Sequence, residues 1–361
     1  MSLAQATVDT ETFAVKNICF LGAGYVGGPT SAVIAAQCPT IKVNVVDLSA
    51  DRIEAWNSGN LPVKEPFLEE FVSKSLGVNL FFTTDARKSI EEAQVVFISV
   101  NTPTKSFGIG SGSASDLSSI YGAANLIAKY AQNNKIIVIK STVPVGTCAE
   151  ISKYLNNQTR IKFTILSNPE FLAEGTAIRN LLSPDRILIG ALPGEDGAAA
   201  QVALSAVYEK WVNSKSIYLL SAWSSELAKL ASNAFLAQRI SSINSLSAVC
   251  ESTGADIKEV SKAIGMDPRI GPHFLMAGVG FGGSCFQKDV FNLVHTCKLH
   301  HLDQAAQYWE GVVGINNWQK HRMVERIVSE MFNTIRGKKI AVLGFAFKKD
   351  TGDTRYERLR I

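Results

Sequence analysis

Asn17-Ile18-Cys19-Phe20-Leu21-Gly22-Ala23-Gly24-Tyr25-Val26-Gly27 is the stretch that decides the fold. Asn17 to Leu21 reads as a buried strand, and the residues after Gly27 read as a helix through Ala36. Between them lies G-x-G-x-x-G in the strand–turn–helix setting that gives the pattern its meaning. Gly22 allows the tight turn, Gly24 lets the backbone approach a pyrophosphate at the helix N-terminus, and Gly27 lets helix and strand pack closely. Tyr25 and Val26 fill the variable positions of this cofactor turn. A second apolar strand, Lys42 to Val46, ends at Asp47, about 20 residues beyond the motif. A carboxylate there accepts hydrogen bonds from a ribose 2′-hydroxyl and repels a 2′-phosphate, which favours NAD over NADP. Arg52 could pair with a 2′-phosphate instead, but it lies a full turn past the strand end, where packing near the adenine is the better reading.

Outward from this unit, Val95–Val100, Ile136–Lys140, Phe163–Leu166 and Arg186–Gly190 read as further strands separated by long helical intervals. Such spacing implies crossovers and a mainly parallel sheet, whose ligands bind beyond the carboxyl ends of the strands. Three of those ends carry small polar residues beside a proline: Val100-Asn101-Thr102-Pro103-Thr104, Ser141-Thr142-Val143-Pro144 and Ser167-Asn168-Pro169-Glu170. One such segment is an ordinary turn; three at adjacent strand ends read as a binding rim. From Trp223 apolar residues recur at helical spacing through Glu251 with no Gly or Pro, and Gly254 is a stop. So long a helix suits a bridge between domains and a subunit interface. More helices follow to about Phe332, and then Lys338–Phe347 reads as a new strand.

The fold expected is α/β: a Rossmann-type doubly wound parallel sheet, then a central α-helical domain with one long helix, plus the first strand of a truncated second nucleotide-binding domain. The boundaries are a flexible tail over 1–16, an NAD-binding domain over 17–222, a helical dimerisation and catalytic domain over 223–334, and a stub over 335–361.

With 361 residues, 46% hydrophobic and 19% charged, the chain has the make-up of a globular protein with two sizeable cores. A net charge of +4, carried by scattered Lys and Arg, argues against nucleic acid. No apolar run reaches the length of a membrane span, and the first residues lack the basic start and apolar stretch of a signal peptide. The six cysteines follow no framework spacing; Cys19, Cys38 and Cys250 read as buried small hydrophobes, and a reducing cytoplasm fits. His295, His300 and His301 cluster near Cys297 without a second ligand pair, so no metal is expected.

The chemistry is carried first by Cys285, in Gly282-Gly283-Ser284-Cys285-Phe286-Gln287-Lys288-Asp289. Oxidising an alcohol to a ketone or aldehyde on a nicotinamide needs a base and no nucleophile. A thiol adds a second stage: it traps an aldehyde as a thiohemiacetal that is oxidised to a thioester and released by water as an acid. Ser284 and Gln287 form an S-x-x-Q capping box that places Cys285 in a first helical turn, where the helix dipole and Lys288 favour thiolate. The bland reading is a buried cysteine beside a glycine turn; the dinucleotide fingerprint favours the nucleophile. Asp289, one turn on, either orients a water or base or forms a salt bridge. Lys229 and Asn233, an i, i+4 pair on the long helix, either stabilise tetrahedral oxyanions or, for the lysine, snorkel to solvent. Glu170 and Glu174 are expected in a first helical turn after Asn168 as cap and Pro169, with Glu170 the candidate base for the hydrolytic water.

These segments together resemble the animal-type UDP-glucose 6-dehydrogenases of the UDP-glucose/GDP-mannose dehydrogenase family. The matching blocks are GAGYVGGPT, VFISVNTPT, KSTVPV, LSNPEFLAEGTAI, WSSELAKLASNAFLAQRISSIN, GFGGSCFQKD and GFAFKKDTGDTR, running from about Asn17 to Arg355. The resemblance implies an N-terminal NAD domain, a central domain on a long helix and a C-terminal UDP-binding domain. It implies that UDP-glucose, two NAD and water become UDP-glucuronate and two NADH. It assigns Cys285 as nucleophile, Glu170 to acid/base work on the water, Lys229 to oxyanion stabilisation or proton transfer with Asn233 and Asp289 beside it, and Thr142 to holding the water. Cofactor contacts extend to Val100–Thr104, Ser141, Glu174, Lys288 and Arg355. Substrate contacts are implied for Phe171, Leu172, Ala173 and Glu174, for Phe274, Leu275, Gly280 and Phe281, and for Phe347 and Lys348. Arg269 matches an arginine that reaches a neighbouring subunit's substrate site, so a homo-oligomer, at least a dimer through the long helix, is expected. Met276 departs from the lysine common in that loop. After Arg355 the family continues into a whole domain where this chain ends at Ile361, which reads as a fragment.

Three further readings stay open at this point: a dehydrogenase for GDP-mannose or a UDP-amino sugar, a non-catalytic subunit that binds NAD and associates with full-length enzyme, and a two-electron hydroxyacid dehydrogenase, which leaves Cys285 unexplained.

Overall fold

The computed structural model of the protein describes residues 14–344, 346 and 348. The chain forms two compact units. One comprises the chain up to Pro103 together with Asp116–Lys229; the other comprises Thr104–Ser115 and the chain from Leu230 on.

In the first unit, strands and helices alternate: β1 (Asn17–Leu21), α1 (Gly27–Gln37), β2 (Lys42–Val46), α2 (Ala50–Asn57), α3 (Leu68–Ser75), β3 (Leu80–Thr83), α4 (Ala86–Glu92), β4 (Val95–Ile98), α5 (Ser118–Tyr130), β5 (Lys135–Ile139), α6 (Thr147–Gln158), β6 (Phe163–Ser167), α7 (Ala177–Leu182), β7 (Ile187–Ala191), α8 (Glu195–Tyr208) and β8 (Ile217–Ser221). They build one eight-stranded sheet in the order β3-β2-β1-β4-β5-β6-β7-β8. The first six strands are parallel; β7 pairs antiparallel with β6, and β8 parallel with β7.

Side chains alternate faces along a strand, so each strand feeds two cores. Ile18 and Phe20 of β1 enter one core with Val43, Val45 and Val138, whereas Cys19 and Leu21 enter the other with Ile98, Ile137 and Ile139. Register aligns Val45, Phe20, Phe97, Val138 and Leu166 in one row, and the Phe20 and Phe97 rings stack at 4.4 Å. Burial on both faces explains why these strands read as near-continuous apolar runs.

Helix α9 (Ala222–Thr253) is the 32-residue element expected from the unbroken helical spacing, about 48 Å long at 1.5 Å per residue. It begins in the first unit and continues in the second. Gly254 ends it at φ +81°, its N–H bonded to Cys250 O at 2.9 Å. The second unit adds α10 (Ile257–Gly265), α11 (Phe286–Leu299) and α12 (Asp303–Glu330). Its core gathers Ala234 and Ala237 of α9 with Phe281, Val290, Leu293, Val294, Ala306 and Val313.

The strand expected over Lys338–Phe347 does not form in residues 338–344, which carry no strand; Leu343 is 96% exposed. A strand without partner edges has no ladder to join. Phe345 and Phe347, like the tail over 1–13 and Arg355, lie outside the described residues.

Candidate active site

The first unit holds the glycine turn. Gly22 adopts φ +109°, and a Cβ there would meet Ser99 O at 2.6 Å. A Cβ on Gly27 would meet Gly22 O at 2.0 Å, and one on Gly28 the Trp56 ring at 2.1 Å, so α1 lies close against both. Gly24 differs: a Cβ there would meet nothing within 4 Å. Its backbone faces open space at the start of an 11-residue helix, the setting a pyrophosphate requires. Tyr25 and Val26 complete the turn, with Val26 at the N-cap.

Asp47, at the end of β2, accepts from Ala23 N at 2.9 Å and Ser49 N at 3.0 Å. Arg52 forks onto both of its oxygens at 3.0 and 2.9 Å, so the arginine is an ion-pair partner in this structure. Burial alone would raise the Asp47 carboxyl; the two N–H groups and Arg52 outweigh it and hold the group below its ordinary value. A carboxylate held ionised beside an open glycine turn fits the ribose end of NAD.

The expected rim forms at the strand ends. Thr102 Oγ1 donates to Thr142 O at 2.7 Å, and Ser141 Oγ to Val100 O at 2.7 Å, lacing two of the three segments together. Asn101 and Pro103 are exposed beside them, and Thr104 falls in the second unit. The Ser167–Glu170 segment differs from expectation. Residues 168–176 are not helical, so Glu170 and Glu174 lie in a loop rather than in a first helical turn. Loop amides are met by side chains instead: Leu172 N donates to Glu170 Oε2 at 2.6 Å, and Ala173 N to Asn180 Oδ1 at 3.0 Å.

Lys229 does not snorkel. It is 5% exposed, its Nζ lies 3.0 Å from Glu170 Oε1, and it sits 5.2 Å from the Phe171 ring centroid. Burial would raise the Glu170 carboxyl, but Lys229, the Leu172 N–H and Lys140 together hold it below the ordinary glutamate value. Glu170 is therefore a carboxylate that is held ionised and oriented by these partners.

Lys140, which the sequence reading passed over as the end of a strand, is buried beneath this pair. Its Nζ donates to Asn168 O at 3.2 Å and Oδ1 at 3.1 Å, and Tyr208 Oη donates to the same Oδ1 at 2.6 Å. These residues and Glu170, Phe171 and Arg186 line a cavity of about 60 Å³. Asn168 is therefore a buried junction rather than a helix cap. Glu65, Glu226 and Arg239 were also missed; the only signal was a charged residue within an otherwise apolar or loop pattern.

Glu226, on α9 three residues before Lys229, accepts from Gly146 N and Cys148 N, both at 2.7 Å, at the N-terminus of α6. It thus anchors the segment that follows Thr142.

In the second unit, Cys285 is the N-cap residue of the 14-residue α11, not a first-turn residue, and no side-chain cap bond forms. The expected capping box is absent: Ser284 Oγ lies 3.5 Å from Cys285 Sγ. Cys285 is exposed, whereas the other five cysteines are buried. It lies at the positive end of the helix dipole. Asp289, 1% exposed, accepts from Asn233 Nδ2 at 2.6 Å and lies 3.8 Å from Lys288 Nζ. Asn233 thereby fixes a buried carboxylate one turn from the thiol.

Residues 270–281 form a loop pinned from the helices. Arg239 donates to the carbonyls of Ile270, Gly271 and His273 at 3.0, 2.9 and 2.8 Å. Asn244 Oδ1 accepts from Gly278 N at 2.8 Å, and Asn316 exchanges two bonds with Phe281. Gly280, at φ +109°, has its missing Cβ facing Asn316. Phe274 holds φ +61° and is exposed, Leu275 is buried, and Met276 is exposed. Arg269 projects from this region, bonded to Asp267. Lys348 is exposed.

Sheet order, glycine turn and acid define a dinucleotide-binding protein, and the second unit presents an exposed thiol at a helix start. Residues 16–212 match the NAD binding domain, and residues 223–318 the central domain, of the UDP-glucose/GDP-mannose dehydrogenase family. The chain belongs to that family. It is 58% identical over 341 residues to UDP-glucose 6-dehydrogenase 2 of Oryza sativa subsp. japonica, covering 94% of this chain and 71% of the relative. It is 58% identical over 339 residues to UDP-glucose 6-dehydrogenase 3 of Arabidopsis thaliana, with the same coverage. Among solved structures it is similar to a UDP-glucose dehydrogenase from Pyrobaculum islandicum, with TM-score 0.86 and 31% identity over 96% of this chain and 78% of that one.

Proposed function

We propose that the protein oxidises UDP-glucose to UDP-glucuronate with two NAD and one water. The carrying observation is Cys285, an exposed thiol at the start of α11 in a chain whose other unit carries an NAD turn. The 58% identity to UDP-glucose 6-dehydrogenases supports UDP-glucose over other nucleotide sugars. The same reading makes 17–222 the NAD-binding domain and 223–334 the central catalytic domain.

NAD, when bound, accepts the hydride in both oxidation stages. Gly24 leaves room for its pyrophosphate, Gly22 and Gly27 permit the tight turn and the close helix packing beneath it, and Asp47 holds its adenosine ribose. Cys285 Sγ adds to the carbonyl carbon of the aldehyde, forming the C–S bond of a thiohemiacetal. Lys229 Nζ and Asn233 Nδ2 donate to the tetrahedral oxygen, stabilising its charge. Oxidation leaves a thioester on Cys285. Glu170 takes a proton from the water that attacks the thioester carbon, and Thr142 orients that water. Collapse of the tetrahedral adduct breaks the C–S bond, returning the thiolate and freeing the carboxylate. The loop at 270–281 and Lys348 hold the nucleotide sugar, and Arg269 serves a neighbouring subunit.

We place the protein in the cytoplasm as a homo-oligomer. Five buried cysteine thiols fit a reducing compartment. Leu227, Phe235, Leu246 and Val249 leave apolar side chains exposed along α9, the surface a second subunit would cover. Among the described residues no helix is long and apolar enough to cross a membrane.

The test is initial-rate turnover of UDP-glucose, GDP-mannose and UDP-N-acetylmannosamine with NAD and with NADP. Preference for UDP-glucose with NAD is expected. Faster turnover of either other sugar would reassign the substrate.

A further inference from the structure

Glu65 lies between α2 and α3, outside every segment given a role above. Its carboxylate nevertheless collects three donors from two functional segments. Oε1 accepts from Tyr25 Oη and from Gly175 N, the latter at 2.6 Å; Oε2 accepts from Ala177 N at 3.0 Å. Tyr25 belongs to the glycine turn, immediately before α1. Gly175 and Ala177 close the loop that carries Glu170 and Glu174 and open α7.

That loop has no helical or sheet ladder of its own; Thr176 N finds a backbone acceptor, Ala173 O, but the amides of Leu172, Ala173, Gly175 and Ala177 take side-chain partners. Glu170 and Asn180 supply two, and both are local. Glu65 supplies two more from 110 and 112 residues away, and it alone of these also holds the cofactor turn. A carboxylate accepting from neutral donors forms bonds stronger than amide–amide bonds. A displacement of Tyr25 therefore pulls on Oε1, the oxygen that also holds Gly175, and through the rigid carboxylate on Oε2, which holds Ala177.

We propose that Glu65 is a positioning residue that ties Tyr25 of the cofactor turn to the Glu170 loop, so that NAD seated on the turn sets the place of the hydrolytic base. The inference rests on NAD binding at the glycine turn and on Glu170 as that base. A glutamine at 65 keeps the shape but offers only one acceptor oxygen and turns an amide toward the donors, so the tie is lost. A phenylalanine at 25 removes only the hydroxyl.

The experiment is hydrogen exchange of the 170–177 segment with and without saturating NAD, in wild type, Glu65→Gln and Tyr25→Phe, with NAD affinity measured separately by calorimetry. In wild type NAD slows exchange at Gly175 and Ala177 about tenfold, the scale of one charge-assisted bond. In both variants NAD still binds, the slowing disappears, and kcat for UDP-glucose falls by a larger factor than its KM changes. Tyr25→Phe keeps the interior packing and covers the case in which Glu65→Gln does not fold. NAD-induced slowing that persists in Tyr25→Phe or Glu65→Gln overturns the tie, as does wild-type protein that binds NAD without any slowing; the proposed function survives both results. Wild-type protein that does not bind NAD overturns both.

Discussion

Burial pushes the Lys140 ammonium down to about 8, with Lys229 also lowering it and Glu170 partly offsetting the shift. The sign for stability follows by linkage. An unfolded lysine holds its proton to about 10.5, so between about 8 and 10.5 the unfolded chain binds more protons and stability rises with pH. The gain is on the order of 3 kcal/mol, and Lys140→Met should abolish that rise in urea midpoints measured across this range. Glu170 behaves oppositely. Its carboxyl is held low, so its contribution is present above the ordinary glutamate range and is lost as pH falls through it. Lys229→Ala removes the partner that holds Glu170 ionised and, on the proposed mechanism, the oxyanion donor. Steady-state assays should show kcat falling about 10²- to 10³-fold; a loss below tenfold would mean that Lys229 serves packing alone. Cys285, Asp47 and Lys229 stood out in the sequence because each breaks a local pattern at a motif. Lys140, Glu65 and Arg239 did not, because their partners lie 28, 40 or more and 31 or more residues away and no local spacing encodes them.

Two helix starts explain the misread elements. The Ser284–Gln287 box is a valid local pattern, yet the helix begins one residue later than it requires, with Cys285 at the cap. Asn168-Pro169 reads as a helix start, but the Asn168 side chain is consumed by Lys140, Tyr208 and Leu188 O, leaving nothing to cap with. At Asn168 tertiary partners win over local capping. By contrast α1, the parallel strands and α9 were legible, since each rests on periodicity or glycine spacing that local residues carry in full. Gly28 shows how tight that first crossover is. Gly28→Ala would drive a Cβ into Trp56, whose Nε1 is already bonded to Ala23 O at 2.9 Å. Thermal unfolding should register a loss of about 1–3 kcal/mol. At the start of α6, Glu226→Ala leaves the buried Cys148 N–H and the half-buried Gly146 N–H without acceptors and should cost about 2 kcal/mol; an unchanged denaturation midpoint would contradict the anchoring role.

On the scale of the molecule, the first unit carries the glycine turn and the Glu170 carboxylate, and the second carries Cys285 and the pinned 270–281 loop. Arg239 is the main staple of that loop, and its three carbonyl bonds require a planar fork that lysine lacks. Arg239→Lys should raise KM for UDP-glucose about tenfold with little change in NAD affinity. The apolar residues left exposed on α9 predict self-association, so sedimentation should give a dimer or larger, and Phe235→Glu with Leu246→Glu should shift it toward monomer. The central claim is that one thiol carries the substrate through two oxidations. It is tested most directly by counting NADH formed per UDP-glucose consumed, with Cys285→Ser in parallel. The account predicts two NADH per sugar in the wild type and no UDP-glucuronate from the variant. One NADH per sugar, or a serine variant that still yields two, would contradict it.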